Sequence, residues 1–370
     1  MPSGPTIYRS ICRAERVYLL YDSRTEGLQS GEESRFIKQL KYLYGVKLKE
    51  WVATYELSGM ARDTIQPVTK DTATMNKLED RFFRQGKAFS ASSLNLYLKC
   101  PLAFYYQYVE GIRMQDDVTE EMDDNLFGTI YHAVMQKLYE PYTGELLSPE
   151  LLRALKCDQK RIDRLTDETF RENAIRDVSG EDLIRRDLIK LFVKQTLEMD
   201  ARIASSEGSV QLLGVEQWAE WTLPLSDGRS VHLHGKIDRL DRLQAGTVRI
   251  IDYKTGTVKD EKLKDPAQLF IPMNPKHPGV SFQLYFYLLL KTRSAVGSEP
   301  CFSPCVYWVR SLFSDKYPES FSIPDEKLSD FEQRLAALVN EVFDPKTPFA
   351  ATPDSSICTF CDFKKLCNRR

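Results

Sequence analysis

The chain has 370 residues, of which 42% are hydrophobic and 28% charged, proportions that exclude a disordered or collagen-like protein. Its 51 Lys and Arg nearly balance 53 Asp and Glu, so nucleic acid is not held by bulk charge and any such site is a local one. The apolar run that includes Tyr285–Leu290 is far short of the ~20 residues of a membrane span, and no apolar leader core opens the chain. The expectation is a soluble, cytoplasmic protein with no membrane role.

In chain order, Val17 to Tyr21 reads as a buried strand. Phe36, Leu40 and Leu43 then repeat at helical spacing. Trp51 to Leu57 suggests a strand, and 58–88, with Gly59 and Pro67, a connector. A second unit opens at FSASSLNLYLKCP, where Ser90 or Ser92 caps one helix and Pro101 starts another. Leu126, Ile130, Val134 and Leu138 mark an amphipathic helix over 124–140, and 150–206 reads as two or three charged helices. The period then changes. Strands are predicted at Val210–Leu223, Ser230–Leu243 and Thr247–Thr255, a helix at 281–292, a strand at Phe302–Val309 and a helix near 325–343. This order predicts an α/β fold with a mixed sheet, divided into residues 1–88 and 89–370.

Eight cysteines in a chain this long are not a disulfide framework. Cys12, Cys157, Cys301 and Cys305 are scattered, and core packing is expected for the last two. Cys358, Cys361 and Cys367 instead form C-x2-C-x5-C at the C-terminus. With one further thiolate, such a set suits either zinc or an iron–sulfur cluster.

The segment GKIDRLDRLQAGTVRIIDYKTG carries the chemistry. Strand alternation puts Asp238 on a face with His232, His234 and Lys236, and Asp252 on a face with Lys254, Val248 and Ile250. A turn centred at Ala245, with Gly246 in the left-handed position, makes Asp238 and Asp252 cross-strand neighbours. Two facing carboxylates repel, and a hard divalent cation relieves that repulsion. Lys254 can then orient or deprotonate an attacking water or steady the transition-state charge. Gln283 and Tyr287 lie one helical turn apart on a shared face. Arg239, next to Asp238, points to the opposite side of the sheet, away from any metal.

Several motifs occur in one order: FGTIYH with Gly128 and His132, GKIDR with Gly235, Asp238 and Arg239, DYKTG at 252–256, QLYFY with Gln283 and Tyr287, and CPLAFYY at Cys100 ahead of the three tail cysteines. Over about residues 90–370 the chain therefore resembles the PD-(D/E)xK nuclease superfamily, in particular its RecB/AddB-type domain with an iron–sulfur staple. The resemblance implies a restriction-endonuclease-like core, a central mixed sheet flanked by helices, with a cysteine-stapled C-terminal tail. It implies Mg2+ or Mn2+ held by His132, Asp238, Asp252 and the Tyr253 carbonyl, with Lys254, Gln283 and Tyr287 beside them. An acidic residue in the first strand often belongs to such sites; here Glu216 and Glu220 compete. The resemblance favours a [4Fe–4S] cluster on Cys100, Cys358, Cys361 and Cys367, with zinc as the alternative. YRSICRAERVYLLYD resembles the end of UvrD-like helicases, although no G-x-x-x-x-G-K-[ST] loop occurs in this chain. The implied function is a DNA exonuclease domain of a bacterial double-strand-break-processing helicase–nuclease, with upstream helicase-like domains and a partner subunit. The rival readings are a catalytically inactive DNA-binding module and a zinc-stapled interaction domain.

Overall fold

The structure is a computed structural model. It describes residue 9 and residues 11–20, 33–51, 65–113, 124–173, 180–257, 262–295, 301–314 and 317–369. The chain divides into two compact units, Met1–Thr64 and Ile65–Arg370.

In the first unit, the Ser34 hydroxyl accepts from the Phe36 N–H and opens a helix at Arg35–Lys38, which runs on as a π-helical turn over Gln39–Leu43. The helix predicted there is present. The buried strand at Val17–Tyr21 is not: Val17–Leu20 form no strand and are exposed, and Tyr21 lies outside the described residues. Among the described residues no neighbouring strand is available to pair with this apolar run. Of the strand predicted at Trp51–Leu57 only Trp51 is described, and it is in no strand.

The second unit begins earlier than the sequence suggested. Residues 65–88 are no simple connector. The Asp71 carboxylate accepts from the Thr74 N–H and caps a helix at Thr72–Glu79. Thr74, Leu78 and Phe82, spaced by four, bury one side of this stretch, and Phe82 stacks on Phe89 at 4.1 Å. Ser90 then caps Ala91–Lys99 through a capping box with Ser93, and Pro101 opens Pro101–Phe104. The remaining predicted helices form at Asp124–Tyr139, Pro149–Cys157, Gln159–Glu172, Glu181–Glu207, Gly279–Ser294 and Asp325–Val342.

Among the described residues one sheet has six strands in sequence order: β1 (Leu146–Leu147), β2 (Val210–Pro224), β3 (Ser230–Leu243), β4 (Val248–Lys254), β5 (Phe302–Trp308) and β6 (Glu319–Ser320). All neighbours are antiparallel except β4 and β5, which are parallel, with Gly279–Ser294 in the connection between them. This is the mixed sheet the sequence predicted, now with two short edge strands.

Helices cover both faces. Ala91–Lys99, Gly279–Ser294 and Asp325–Val342 contribute to one core with Val248 and Ile250. Asp124–Tyr139 and the three helices between 149 and 207 contribute to a second core with Ile251 and Tyr253. β4 is buried on both faces, so its charged residues Arg249 and Asp252 are buried with Val248, Ile250, Ile251 and Tyr253. Cys305 is buried in β5 as expected, but Cys301, just before the strand, is exposed.

Candidate active site

The β3–β4 hairpin sets the position of the carboxylates. Gly246 takes φ +91° and its N–H donates to the Leu243 carbonyl at 2.9 Å, so the chain reverses where the sequence placed the turn. Arg239 pairs with Ile251 and Leu240 with Ile250. One step further, the same register puts Asp238 opposite Asp252. The ladder stops there, and the Tyr253 N–H donates instead to Asp238 Oδ2 at 2.8 Å.

The sheet rolls at the same level. In β2, Val215 packs on the second core, while Ala219 and Leu223, of the same parity, belong to the first. In β3, Ile237 lies in the first core, whereas Arg239 turns to tyrosines of the second. Strict alternation therefore fails between these residues. Glu216 marks the roll with φ +50°, a left-handed conformation that costs a non-glycine residue energy. Its neighbours pair Val215 with Arg239 and Gln217 with Ile237, so Glu216 occupies the position across from Asp238.

This roll directs Glu216 toward the Asp124–Tyr139 helix. His132 Nδ1 lies 3.4 Å from Asp238 Oδ1 and 3.9 Å from Glu216 Oε1. Among the described residues, His132, Glu216 and Asp238 are the group whose donor atoms all fall within 4.8 Å of one another. Gly128, one turn before His132, allows this approach: a Cβ there would lie 3.3 Å from the Thr255 hydroxyl. Glu220 is exposed across from His234, so the structure separates the two competing glutamates. Asp252 is not within that closest triad. It is 1% exposed beside it, with Oδ2 2.7 Å from Lys254 Nζ.

Lys254 begins a chain of contacts. Its ammonium donates to Gln283 Oε1 at 2.9 Å, and Gln283 Nε2 donates to the Tyr287 hydroxyl at 2.8 Å. The Tyr287 ring lies against Gly235, where a Cβ would sit 2.6 Å from Tyr287 Cε1. Glycine is needed at this point for the helix side chain to reach the strand. Burial raises the Asp252 carboxyl above its ordinary range and Asp238 adds to this, against the pull of Lys254. Burial lowers Lys254, but Asp252 and Asp238 outweigh it and hold the ammonium protonated. His132 follows the same pattern: burial lowers it, and Asp238 and Asp252 leave it raised.

Behind the site lies a buried charge cluster that the sequence reading only touched. Arg239 Nη1 donates to Asp200 Oδ2 at 2.6 Å and Nη2 to Asp241 Oδ2 at 2.5 Å; Arg249 Nε donates to Asp241 Oδ1 at 2.7 Å. Tyr139 and Tyr307 also donate to Asp200, and Arg239 donates to the Tyr253 hydroxyl at 3.1 Å. The opposed charges of Arg239 and Arg249 with Asp200 and Asp241 balance, which makes burial tolerable. The cluster fixes Arg239 beside Asp238 and Tyr253 between Asp252 and Lys254. Sequence parity found Arg239 on this side, but Asp200 comes from a distant helix and carries no local signal.

The cysteines gather elsewhere. Cys100, Leu102, Ala103 and Phe363 form a small core against which Cys361 and Cys367 pack. The Cys367 thiol is pushed up to about 11, by burial first and then by Cys100, Cys361 and Cys358. Arg369 Nη1 donates to Cys358 Sγ at 3.4 Å.

A profile of the PD-(D/E)XK nuclease superfamily matches residues 88–368. A subunit of the ATP-dependent helicase/deoxyribonuclease of Clostridium acetobutylicum is 29% identical over 191 residues, 48% of this chain and 16% of that protein. The protein of the same name from Acetivibrio thermocellus is 28% identical over 252 residues, 64% of this chain and 21% of its own length. The matches thus span about a fifth or less of those relatives. A solved structure, SSO0001, aligns with 64% of this chain and 93% of its own at 13% identity and a TM-score of 0.27.

Proposed function

The chain belongs to the PD-(D/E)XK nuclease superfamily, and from that premise we propose that it is a divalent-cation-dependent deoxyribonuclease domain acting from DNA ends. The observation that carries the reading is the convergence of His132, Glu216 and Asp238 beside the Asp252–Lys254–Gln283–Tyr287 chain.

One imidazole and two carboxylates suit Mg2+ or Mn2+, and Asp252 and the Tyr253 carbonyl stand next to them in the chain as further donors. A cation bound there supplies Lewis acidity and an acidified water. The residues of the chain do the rest. Asp252 and Gln283 hold the Lys254 ammonium from two sides, which leaves an N–H to orient the attacking water or meet charge on the phosphate. Tyr287 keeps Gln283 in place. The water oxygen adds to phosphorus as the bond to the 3′ oxygen breaks, leaving 5′-phosphate and 3′-hydroxyl ends.

The same proposal assigns Cys100, Cys358, Cys361 and Cys367 to a [4Fe–4S] cluster that staples the tail to the helix at Pro101. Four thiolates suit a zinc ion or an iron–sulfur cluster, and the motif resemblance at CPLAFYY and the tail favours the cluster. The names of the relatives support DNA as substrate and a helicase partner subunit. To these we add, as part of the proposal, a place in double-strand-break repair and a bacterial cytoplasmic setting. We assign the end of a degenerate helicase-like domain to the N-terminal unit.

The test is digestion of end-labelled single- and double-stranded DNA with Mg2+, beside a covalently closed single-stranded circle. Label release from linear DNA, abolished by EDTA, with the circle left intact, is expected. Cutting of the circle would contradict action from ends, and no cleavage with Mg2+ or Mn2+ would contradict the enzyme.

A further inference from the structure

Beyond Glu216 the β2–β3 hairpin rolls so that one face packs on the first core and the other faces solvent. Trp218 stands on the solvent face, 60% exposed. It is paired in register with Lys236, and its ring lies 5.1 Å from that of His234. An indole this exposed forfeits burial it would gain in the core, and its side chain is steadied by the histidine beside it. Continuity with the site is direct. Lys236 Nζ lies 2.7 Å from Glu216 Oε2, the carboxylate that also approaches His132. Trp218 is therefore two residues from Glu216 on one strand, and Lys236, with further N–H donors, lies across from the one and pairs with the other.

Resting on the nuclease reading above, we propose that Trp218 is a stacking platform for a base of the substrate strand, with Lys236 on the adjacent phosphate. The occupant is single-stranded nucleic acid. An indole face accepts any base by stacking, a lysine accepts any phosphate, and neither selects sequence. Trp218 acts as a positioning residue: it holds the strand so that one phosphodiester reaches Asp238 and Lys254.

The experiment uses the full chain, with Trp218→Ala and Trp218→Phe variants and labelled single-stranded oligonucleotides carrying one abasic site moved along the strand. Binding is read by anisotropy in Ca2+ and cleavage in Mg2+. One abasic position should weaken wild-type binding about ten-fold or more, and the same position should lose its effect in Trp218→Ala. Trp218→Phe should restore most of the difference. Equal sensitivity to every abasic position in wild type and Trp218→Ala would overturn the proposal, as would altered self-association of Trp218→Ala with unchanged DNA binding, which would make this face a protein interface. A wild type that binds with this pattern but never cleaves would uphold the platform and overturn the nuclease reading. Cleavage without any Trp218 effect would do the reverse, and neither binding nor cleavage would overturn both.

Discussion

Glu216 shows what a single backbone angle contributes. At φ +50° it leaves the regular strand path and meets His132 and Lys236, whereas Glu220, four residues on, stays in solvent. Sequence alone left Glu220 as a competitor to Glu216 and a solvated strand face as a nearly equal reading, because no local pattern signals a left-handed glutamate. Asp238, Asp252 and Lys254 were legible, since hairpin register sets the two carboxylates across from each other and alternation along β4 puts Lys254 with Asp252. Glu216→Gln should therefore raise the Mg2+ concentration for half-maximal cleavage about ten-fold or more, and Glu220→Gln should not; a metal titration of both variants checks this. His277 gives a pH prediction away from the site. Burial first, then Lys99, lowers its imidazole to about 4, while Nε2 stays 2.7 Å from Asn95 Oδ1. The folded state thus binds fewer protons than the unfolded one between about 6.5 and about 4, so this contribution to stability is present above that window and is lost as pH falls through it. Urea unfolding should show His277→Gln gaining about 2 kcal/mol on wild type between about pH 7 and about pH 4.5, once partial exposure is allowed for.

Among the elements, the long strands and helices were legible because their apolar periods are regular and their caps are strong. The 72–79 helix was not, because its buried side uses Thr74 and because Gly59 and Pro67 dominate the stretch before it. The roll of β2 and β3 was also hidden, since period-two reasoning assumes that a strand keeps its faces. What holds the rolled hairpin against the second layer is the Arg239–Asp200–Asp241–Arg249 cluster. Removing one member strands buried charges, so Arg239→Met should cost about 3–5 kcal/mol. Equilibrium urea denaturation measures this, and a loss below about 1 kcal/mol would show that the cluster is not what orders the hairpin.

At the largest scale, within the Ile65–Arg370 unit, two helical layers sandwich one sheet, and the candidate site opens where the hairpin leaves the second layer. Tail and core meet at the cysteines. A cross-link between residues 100 and 367 closes a loop for which chain-entropy models give ~5 kcal/mol, and thiolate–metal bonding adds to folding directly. In anaerobically purified protein, Cys358→Ala should lose iron from about four per chain and melt lower, while Cys157→Ala should keep both; one zinc without sulfide in wild type would replace the cluster by a single-ion staple. The sequence pointed to the meeting of these cysteines only through the CPLAFYY context and tail spacing, since nothing local links residues so far apart.

The central claim is that the group formed by His132, Glu216, Asp238, Asp252 and Lys254 hydrolyses DNA. Single-turnover cleavage of end-labelled DNA in Mg2+, wild type beside Lys254→Ala, with DNA affinity measured in Ca2+, tests it most directly. The account predicts a rate loss of about 100-fold or more with affinity held within a few-fold and the variant still folded at the assay temperature. Full turnover by a folded Lys254→Ala protein would contradict it.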